Sequence, residues 1–356
     1  MNIKNRIEKV RQKIKEKEVE SIFISNPENR YYLSSFDGSA GYLLITLRKT
    51  ILATDFRYMV QASIQASGYE ILKVTGNMSE WFPSLVGDLG LHNMAFESAD
   101  ITFSTYEQLA GIAKKSLPQL KLIPLTGTVE LLRMVKEPEE VSMITEAIHV
   151  TDSAFELAKK ILNDGITELE LAWEIEKYVR EQGSQSVPFE VIVASGINAA
   201  LPHAKPSSHR IIGGETVVID AGAKLHNYTS DLTRTLVIDN LDREFQKIYS
   251  VVLEAQLEAI SSLRAGMTGH EADATARTVI EKAGYGEAFG HGLGHGIGLA
   301  AHEGPRLGPN SADVLTEGMV FTVEPGIYLP GRGGVRIEDD VIIEDGKLRV
   351  ISKASK

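Results

Sequence analysis

Ile3, Ile7, Val10 and Ile14 recur every three or four residues among lysines and glutamates, a spacing that predicts an amphipathic helix near the start of the chain. Short apolar runs follow at Ser21 to Ser25, Tyr42 to Leu47 and Thr50 to Ala53, separated by helix-like stretches, as in an α/β domain. The pattern closes near Gly127, so residues 1–127 are expected to form one domain. His92 stands in it without a cluster of ligand-type neighbours and is read as structural or merely exposed.

A second domain is expected over 131–356. Lys136-Glu137-Pro138-Glu139-Glu140 places proline and acids where a helix starts, and Val141, Ile144, Ile148, Phe155, Ala158 and Leu162 give that helix one apolar face, ending before Gly165. An internal repeat then organises this half. Gly165-Ile166-Thr167-Glu168-Leu169-Glu170 parallels Gly266-Met267-Thr268-Gly269-His270-Glu271, and Gly183 parallels Gly284, with an offset of 101 in both cases (266 minus 165, 284 minus 183). Each copy reads as a helix stop, a Thr-x-x-Glu capping box and a second helix stopped by glycine. His203-x-x-Pro206 parallels His302-x-x-Pro305, and Gly214 precedes Asp220 by the same six residues that separate Gly318 from Glu324. Two related halves follow, each with two helices and then several strands.

Thr216 to Asp220 and Thr229 to Ile238 read as neighbouring strands that present Asp220 and Asp231 side by side. Val320 to Val323 leading into Glu324, and a strand over Val335 to Ile343 containing Glu338, repeat the arrangement. An unpaired charge after the Val-Val-Ile run before Asp220 is costly unless a cation balances it. Between the two pairs lies Gly290-His291-Gly292-Leu293-Gly294-His295-Gly296-Ile297-Gly298, whose glycines leave the histidines unobstructed. Four carboxylates and one imidazole carry about −4, which two divalent cations with oxygen-rich coordination would neutralise. This donor set favours manganese or cobalt, with iron or zinc also acceptable.

Composition narrows the partners. A net charge of −11 repels nucleic acid and anionic lipid, and the absence of cysteine restricts any metal site to His, Asp and Glu. With 43% hydrophobic and 24% charged residues over 356 positions, the chain reads as globular and two-domain. No apolar stretch of membrane-spanning length occurs, and the opening segment differs from a signal peptide, so a cytoplasmic location is expected.

The segments Val218 to Ala223, Ser230 to Thr235, His291 to Gly298, Val323 to Tyr328 and Gly334 to Asp339 resemble the pita-bread metallopeptidases, specifically the proline-specific branch of prolidase and aminopeptidase P. The similarity runs from about Leu131 onward, and Asn29 to Gly41 resembles the family's amino-terminal domain. The implied architecture is α/β: a creatinase/prolidase-like domain before a pita-bread domain with a pseudo-twofold repeat. The resemblance implies Asp220, Asp231, His295, Glu324 and Glu338 as ligands of two divalent metals, with Asp231 and Glu338 bridging. It implies Glu324 as proton shuttle and His203 and His302 as oxyanion-stabilising groups. It further implies His291 beside the proline, Arg336 orienting Glu338, and Arg306 binding a dipeptide's terminal carboxylate. The expected substrates are Xaa-Pro dipeptides, with longer Xaa-Pro-Yaa peptides as the alternative, and the expected assembly is a homodimer. Relatives that keep this fold without the metals make a metal-free peptide-binding module the reading from another class.

Overall fold

The computed structural model describes residues 2–356, which divide into two compact units, one up to Arg133 and the other Met134–Lys356. In the first, the opening helix (Ile3–Glu16) starts where the Asn2 side chain accepts the Asn5 N–H, and it buries Ile7, Val10 and Ile14 as their spacing requires. A six-stranded sheet follows, built from β1 (Ser21–Ile24), β2 (Tyr42–Thr46), β3 (Thr50–Thr54), β4 (Glu70–Lys73), β5 (Asn93–Glu97) and β6 (Lys121–Leu125). Its order is β4-β3-β2-β1-β5-β6, with antiparallel pairs at β1/β2 and β2/β3 and parallel pairs elsewhere. Phe23, Phe82, Met94, Phe96 and Leu109 lie in the core of this unit.

The second unit opens with the helix Pro138–Ile161, capped by reciprocal bonds between Glu137 and Glu140, and continues with the helix Glu168–Glu181. The three-stranded sheet that follows has the order β11-β8-β7, from β7 (Ile192–Ser195), β8 (Thr216–Ala221) and β11 (Leu232–Val237); a hairpin of β9 (Lys224–Leu225) and β10 (Tyr228–Thr229) joins the last two. The helices Arg243–Ser262 and Gly269–Lys282 begin the other half. Its strands are β12 (Gly294–Gly296), β13 (Glu303–Leu307), β14 (Val320–Val323), β15 (Gly326–Leu329), β16 (Gly333–Arg336), β17 (Asp339–Glu344) and β18 (Lys347–Val350). Five of them form the sheet β13-β12-β14-β17-β18, and β15 pairs with β16 alone.

The repeat read from the sequence is visible in backbone detail. Gly165, Gly183, Gly266 and Gly284 all have φ between 89° and 94°, the left-handed conformation that stops each helix or opens each capping box. Both boxes form, at Thr167/Glu170 and at Thr268/Glu271. Each capping threonine also makes an isolated bridge to a later segment, to Arg210 in one half and Val314 in the other.

Strand alternation then decides which side chains leave the core. Val217, Ile219, Ala221 and Leu232 face one helix pair, while Phe321, Val323, Val341 and Ile343 face the other. Val218, Asp220, Thr233, Thr322 and Asp340 therefore fall on the opposite faces, away from the helices. No helix among the described residues is long and apolar enough to cross a membrane.

Two expected strands are interrupted at their acids. The run Val335 to Ile343 breaks at Ile337-Glu338, because β16 pairs with β15 whereas β17 joins β14 and β18 in another sheet. The Glu338 N–H instead donates to the Thr233 carbonyl. Likewise the strand expected from Thr229 to Ile238 divides at Ser230-Asp231, where Ser230 binds back onto Ala223 through its N–H and its hydroxyl. Of the four acids, only Asp220 sits inside a strand; Asp231 immediately precedes β11, Glu324 immediately follows β14, and Glu338 occupies the gap.

Candidate metal centre

On the face turned away from the helices, Asp220 lies opposite Thr233 in the β8/β11 register, and Asp231 stands two residues earlier on that same face. Carboxylate oxygens of Asp220, Asp231 and Glu338 lie within 4.8 Å of one another. Asp231 belongs equally to a second group, with ring nitrogens of His295 and His302 inside the same distance. Asp231 is thus common to both groups, the position a bridging ligand must occupy. His302, placed outside the ligand set by sequence reasoning, comes within reach of it.

His295 is carried by β12, where the glycines on either side allow very close strand contact: a Cβ on Gly294 would collide with the Thr322 carbonyl, and one on Gly296 with the Gly304 carbonyl. Its Nδ1 donates to the Gly296 carbonyl (3.2 Å), so Nε2 offers a lone pair toward Glu324 Oε1 at 3.3 Å and Asp231 Oδ2 at 3.6 Å. Three electron-pair donors facing one another need a positive charge between them. Asp220 supplies a second sign: Oδ2 accepts from Arg336 Nη2 at 2.7 Å, but Oδ1 is shielded from solvent with no hydrogen-bond partner among the described residues. The donors are all oxygen or imidazole nitrogen, so the residues present fit divalent cations.

The electrostatics agree with this reading. Removal from water, followed by repulsion from Glu338, Asp220 and Glu324, pushes Asp231 well above the usual carboxylate range. Glu338 is raised well above it by burial and then by Glu324 and Asp220, and burial raises Glu324 too, against the opposing pull of His291 and Arg336. Burial lowers His295, and burial together with His295 brings His302 down to about 4. Without cations Asp231, Glu338 and Glu324 are pushed toward the protonated form and His295 and His302 toward the neutral ring.

Surrounding groups hold the donors in place. Thr233 Oγ1 donates to Glu338 Oε2 (2.7 Å), Thr322 Oγ1 to Glu324 Oε1 (3.1 Å), and the Asp231 N–H to Asp340 Oδ2 (3.3 Å). Arg336, buried, donates to Asp220, Thr233 Oγ1, Tyr328 OH and the Pro202 carbonyl. Its direct carboxylate partner is therefore Asp220, and it reaches Glu338 only through Thr233. His291 Nδ1 donates to the Gly292 carbonyl, and its Nε2 accepts from Tyr328 OH at 3.0 Å. The Gly-His segment is braced from the helix Gly269–Lys282, where Asp273 accepts the Leu293 N–H and Arg277 donates to the His291 carbonyl.

A cavity of about 430 Å³ opens onto the centre, lined by the five expected ligands together with His203, His291, His302, Arg336, Phe189, Ile192 and Lys205. The rings of His302 and His295 are 4.1 Å apart, and His203 is exposed toward the opening. Arg306 lies outside this lining, exposed on β13, in cross-strand register with His295 and so on the same face of that sheet. Sequence reasoning did not find Thr233, Tyr328, Thr322 or Asp340. Only Thr233 left a trace, its two-residue spacing from Asp231 on one strand.

Residues 142–345 match metallopeptidase family M24, and residues 6–135 match the creatinase/prolidase N-terminal domain. An Xaa-Pro dipeptidase of Pyrococcus horikoshii is 34% identical over 359 residues, covering 100% of this chain and 99% of the relative. Among solved structures, an Xaa-Pro dipeptidase from Bacillus anthracis superposes with a TM-score of 0.95 at 42% identity, covering 100% of this chain and 99% of that one. An X-Pro aminopeptidase from Thermotoga maritima gives 0.89 at 37% identity, covering 98% of each.

Proposed function

The chain belongs to metallopeptidase family M24, and from that premise we propose that it hydrolyses the Xaa-Pro bond at the amino end of short peptides, Xaa-Pro dipeptides foremost. It is a metallopeptidase with a creatinase/prolidase-type domain preceding a pita-bread domain. The observation that carries the reading is the sharing of Asp231 between two donor groups beside the unpartnered oxygen of Asp220.

In this proposal Asp220, Asp231, Glu338, Glu324 and His295 hold two divalent cations, manganese or cobalt before iron or zinc. When bound, the cations supply Lewis-acid polarisation of the scissile carbonyl and make water acidic enough to serve as nucleophile near neutral pH. Glu324 takes a proton from the attacking water at its side-chain oxygen and hands it to the proline nitrogen as the bond breaks. The His302 ring donates a hydrogen bond to the carbonyl oxygen as charge develops there, and His203 does the same from the opposite half. His291, fixed by Tyr328, lines the proline side. Arg306 takes the dipeptide's terminal carboxylate through a charge-assisted bond. Arg336 holds Asp220 in its ligating pose.

A second groove, about 900 Å³, shares Pro202, His203 and His291 with the cavity and continues past Tyr285 and Pro330. It favours room for Xaa-Pro-Yaa peptides as the second reading. The working form is proposed as a cytoplasmic homodimer. The exposed Phe56, Val60 and Ile64, four residues apart in the amino-terminal unit, support the self-association. The test is hydrolysis of a matched Xaa-Pro dipeptide and Xaa-Pro-Yaa tripeptide by the manganese-loaded enzyme. Faster turnover of the dipeptide is expected, with Arg306→Ala raising KM for the dipeptide about tenfold and leaving the tripeptide nearly unchanged. Equal rates and equal effects would move the assignment to an aminopeptidase, and no cleavage of either would sink the proposal.

A further inference from the structure

Glu168 is the first residue of the helix Glu168–Glu181 and is fully buried, yet it plays no part in the capping box beside it, which uses Thr167 and Glu170. Its two oxygens accept six hydrogen bonds from three residues of one segment. Oε1 accepts from the Ser195 N–H (2.7 Å), the Ser195 hydroxyl (3.0 Å) and Asn198 Nδ2 (3.1 Å). Oε2 accepts from Asn198 Nδ2 (3.2 Å), the Ser207 N–H (3.0 Å) and the Ser207 hydroxyl (2.6 Å). The five donor atoms, with Asn198 Nδ2 shared between both oxygens, are neutral N–H or O–H groups, and they lie at the two ends and near the start of residues 195–207. That segment carries His203, and also Pro202, whose carbonyl accepts from Arg336 Nη1. One buried carboxylate thus closes the whole loop that presents His203 to the cavity.

The repeat shows that this device belongs to one half only. The position 101 residues later is Gly269. Its N–H donates to the Asp313 carbonyl, and a Cβ there would collide with the carbonyl of Arg306, in the strand that follows His302. Both halves make the matching backbone bonds, Glu168 N–H to the His209 carbonyl and Leu169 N–H to that of Ser207 in one, Gly269 N–H to Asp313 and His270 N–H to Ser311 in the other; the His203 half alone adds the buried carboxylate.

We infer that Glu168 is a positioning residue for His203, pinning both ends of residues 195–207 so that the ring meets the substrate at a fixed point. This rests on the proposed role of His203 toward the substrate carbonyl. A glutamine at 168 keeps the shape but turns one acceptor into an NH2 facing N–H and O–H donors, which breaks one side of the closure.

The test is a double-mutant cycle on the metal-loaded full chain, with Ala-Pro as substrate and metal content measured alongside. Glu168→Gln should lower kcat/KM by about tenfold or more with metal content unchanged. Glu168→Gln combined with His203→Ala should be no slower than His203→Ala alone, within about twofold, because the first acts only through the second. Wild-type kinetics in Glu168→Gln, multiplying losses in the double variant, or loss of metal would each overturn the inference. If Glu168→Gln does not fold, Ser207→Ala, which deletes a single hydroxyl donor, is taken through the same cycle and decides by the same criteria. Wild-type rates in His203→Ala would refute the substrate role of His203 and take this inference with it. An impaired His203→Ala beside an unaffected Glu168→Gln would refute this inference alone.

Discussion

Arg336→Met removes a buried guanidinium while keeping most of the apolar stem, and its cost should depend on whether cations are present. The side chain is 3% exposed and pairs with Asp220 Oδ2 at 2.7 Å while donating to Thr233, Tyr328 and the Pro202 carbonyl. Asp220 Oδ1 already lacks a partner, so the variant leaves the whole carboxylate uncompensated. Removing one partner of a buried pair costs about 3–5 kcal/mol. For a unit the size of Met134–Lys356 each kcal/mol is worth about 2–4 °C, giving a fall of about 6–20 °C in the metal-free protein. Cations bound at Asp220 would take over the balancing of its charge, so the fall in manganese-loaded protein should be less than half as large. Differential scanning calorimetry of wild type and variant, with chelator and with manganese, reads both numbers. Equal falls under the two conditions would refute the idea that Asp220 shares its charge between Arg336 and a metal.

Asp231→Asn should lose bound metal and activity together, since Asp231 belongs to both donor groups; metal analysis showing full occupancy with near-normal turnover would remove it from the centre. His302→Ala should keep its metal and lose turnover by about a hundredfold, the scale of one oxyanion donor, and metal loss in this variant would instead make His302 a ligand. In the metal-free protein the buried carboxyls should make stability fall as pH rises, while His295 and His302, whose values are lowered, act in the opposite sense at acidic pH. Asp231, Glu338 and Glu324 have folded-state pKa values raised above those of the unfolded chain, so their contribution is complete at acidic pH and is lost as pH climbs from the ordinary carboxylate range toward neutrality. Chemical unfolding of the chelated wild type and Glu338→Gln at pH 5 and pH 8 isolates the carboxyl contribution: wild type should lose more stability between the two values than the variant, and an equal or smaller loss would contradict the sign.

Local physical chemistry made much of this protein legible in one dimension. Proline and acids at Glu137 to Glu140 start a helix whatever surrounds them, the capping boxes at Thr167 and Thr268 satisfy their own N–H groups, and positive-φ glycines recur at matching places because each ends or begins the same local unit. Period-two alternation put Asp220 on the face away from the helices, and the motifs around the five expected ligands carried the family. Partners far apart in the chain were not legible. The unbroken apolar run from Val335 to Ile343 gives no sign that β16 and β17 belong to different sheets, since pairing is set by strands elsewhere. Arg336 meets Asp220 across 116 positions and Thr233 meets Glu338 across 105, contacts that exist only once the two halves have folded together. Glu168 is the sharpest case: in the sequence it is one more acid in a first helical turn, where the helix dipole favours any carboxylate. Only the tertiary structure aims it inward at the loop that carries His203.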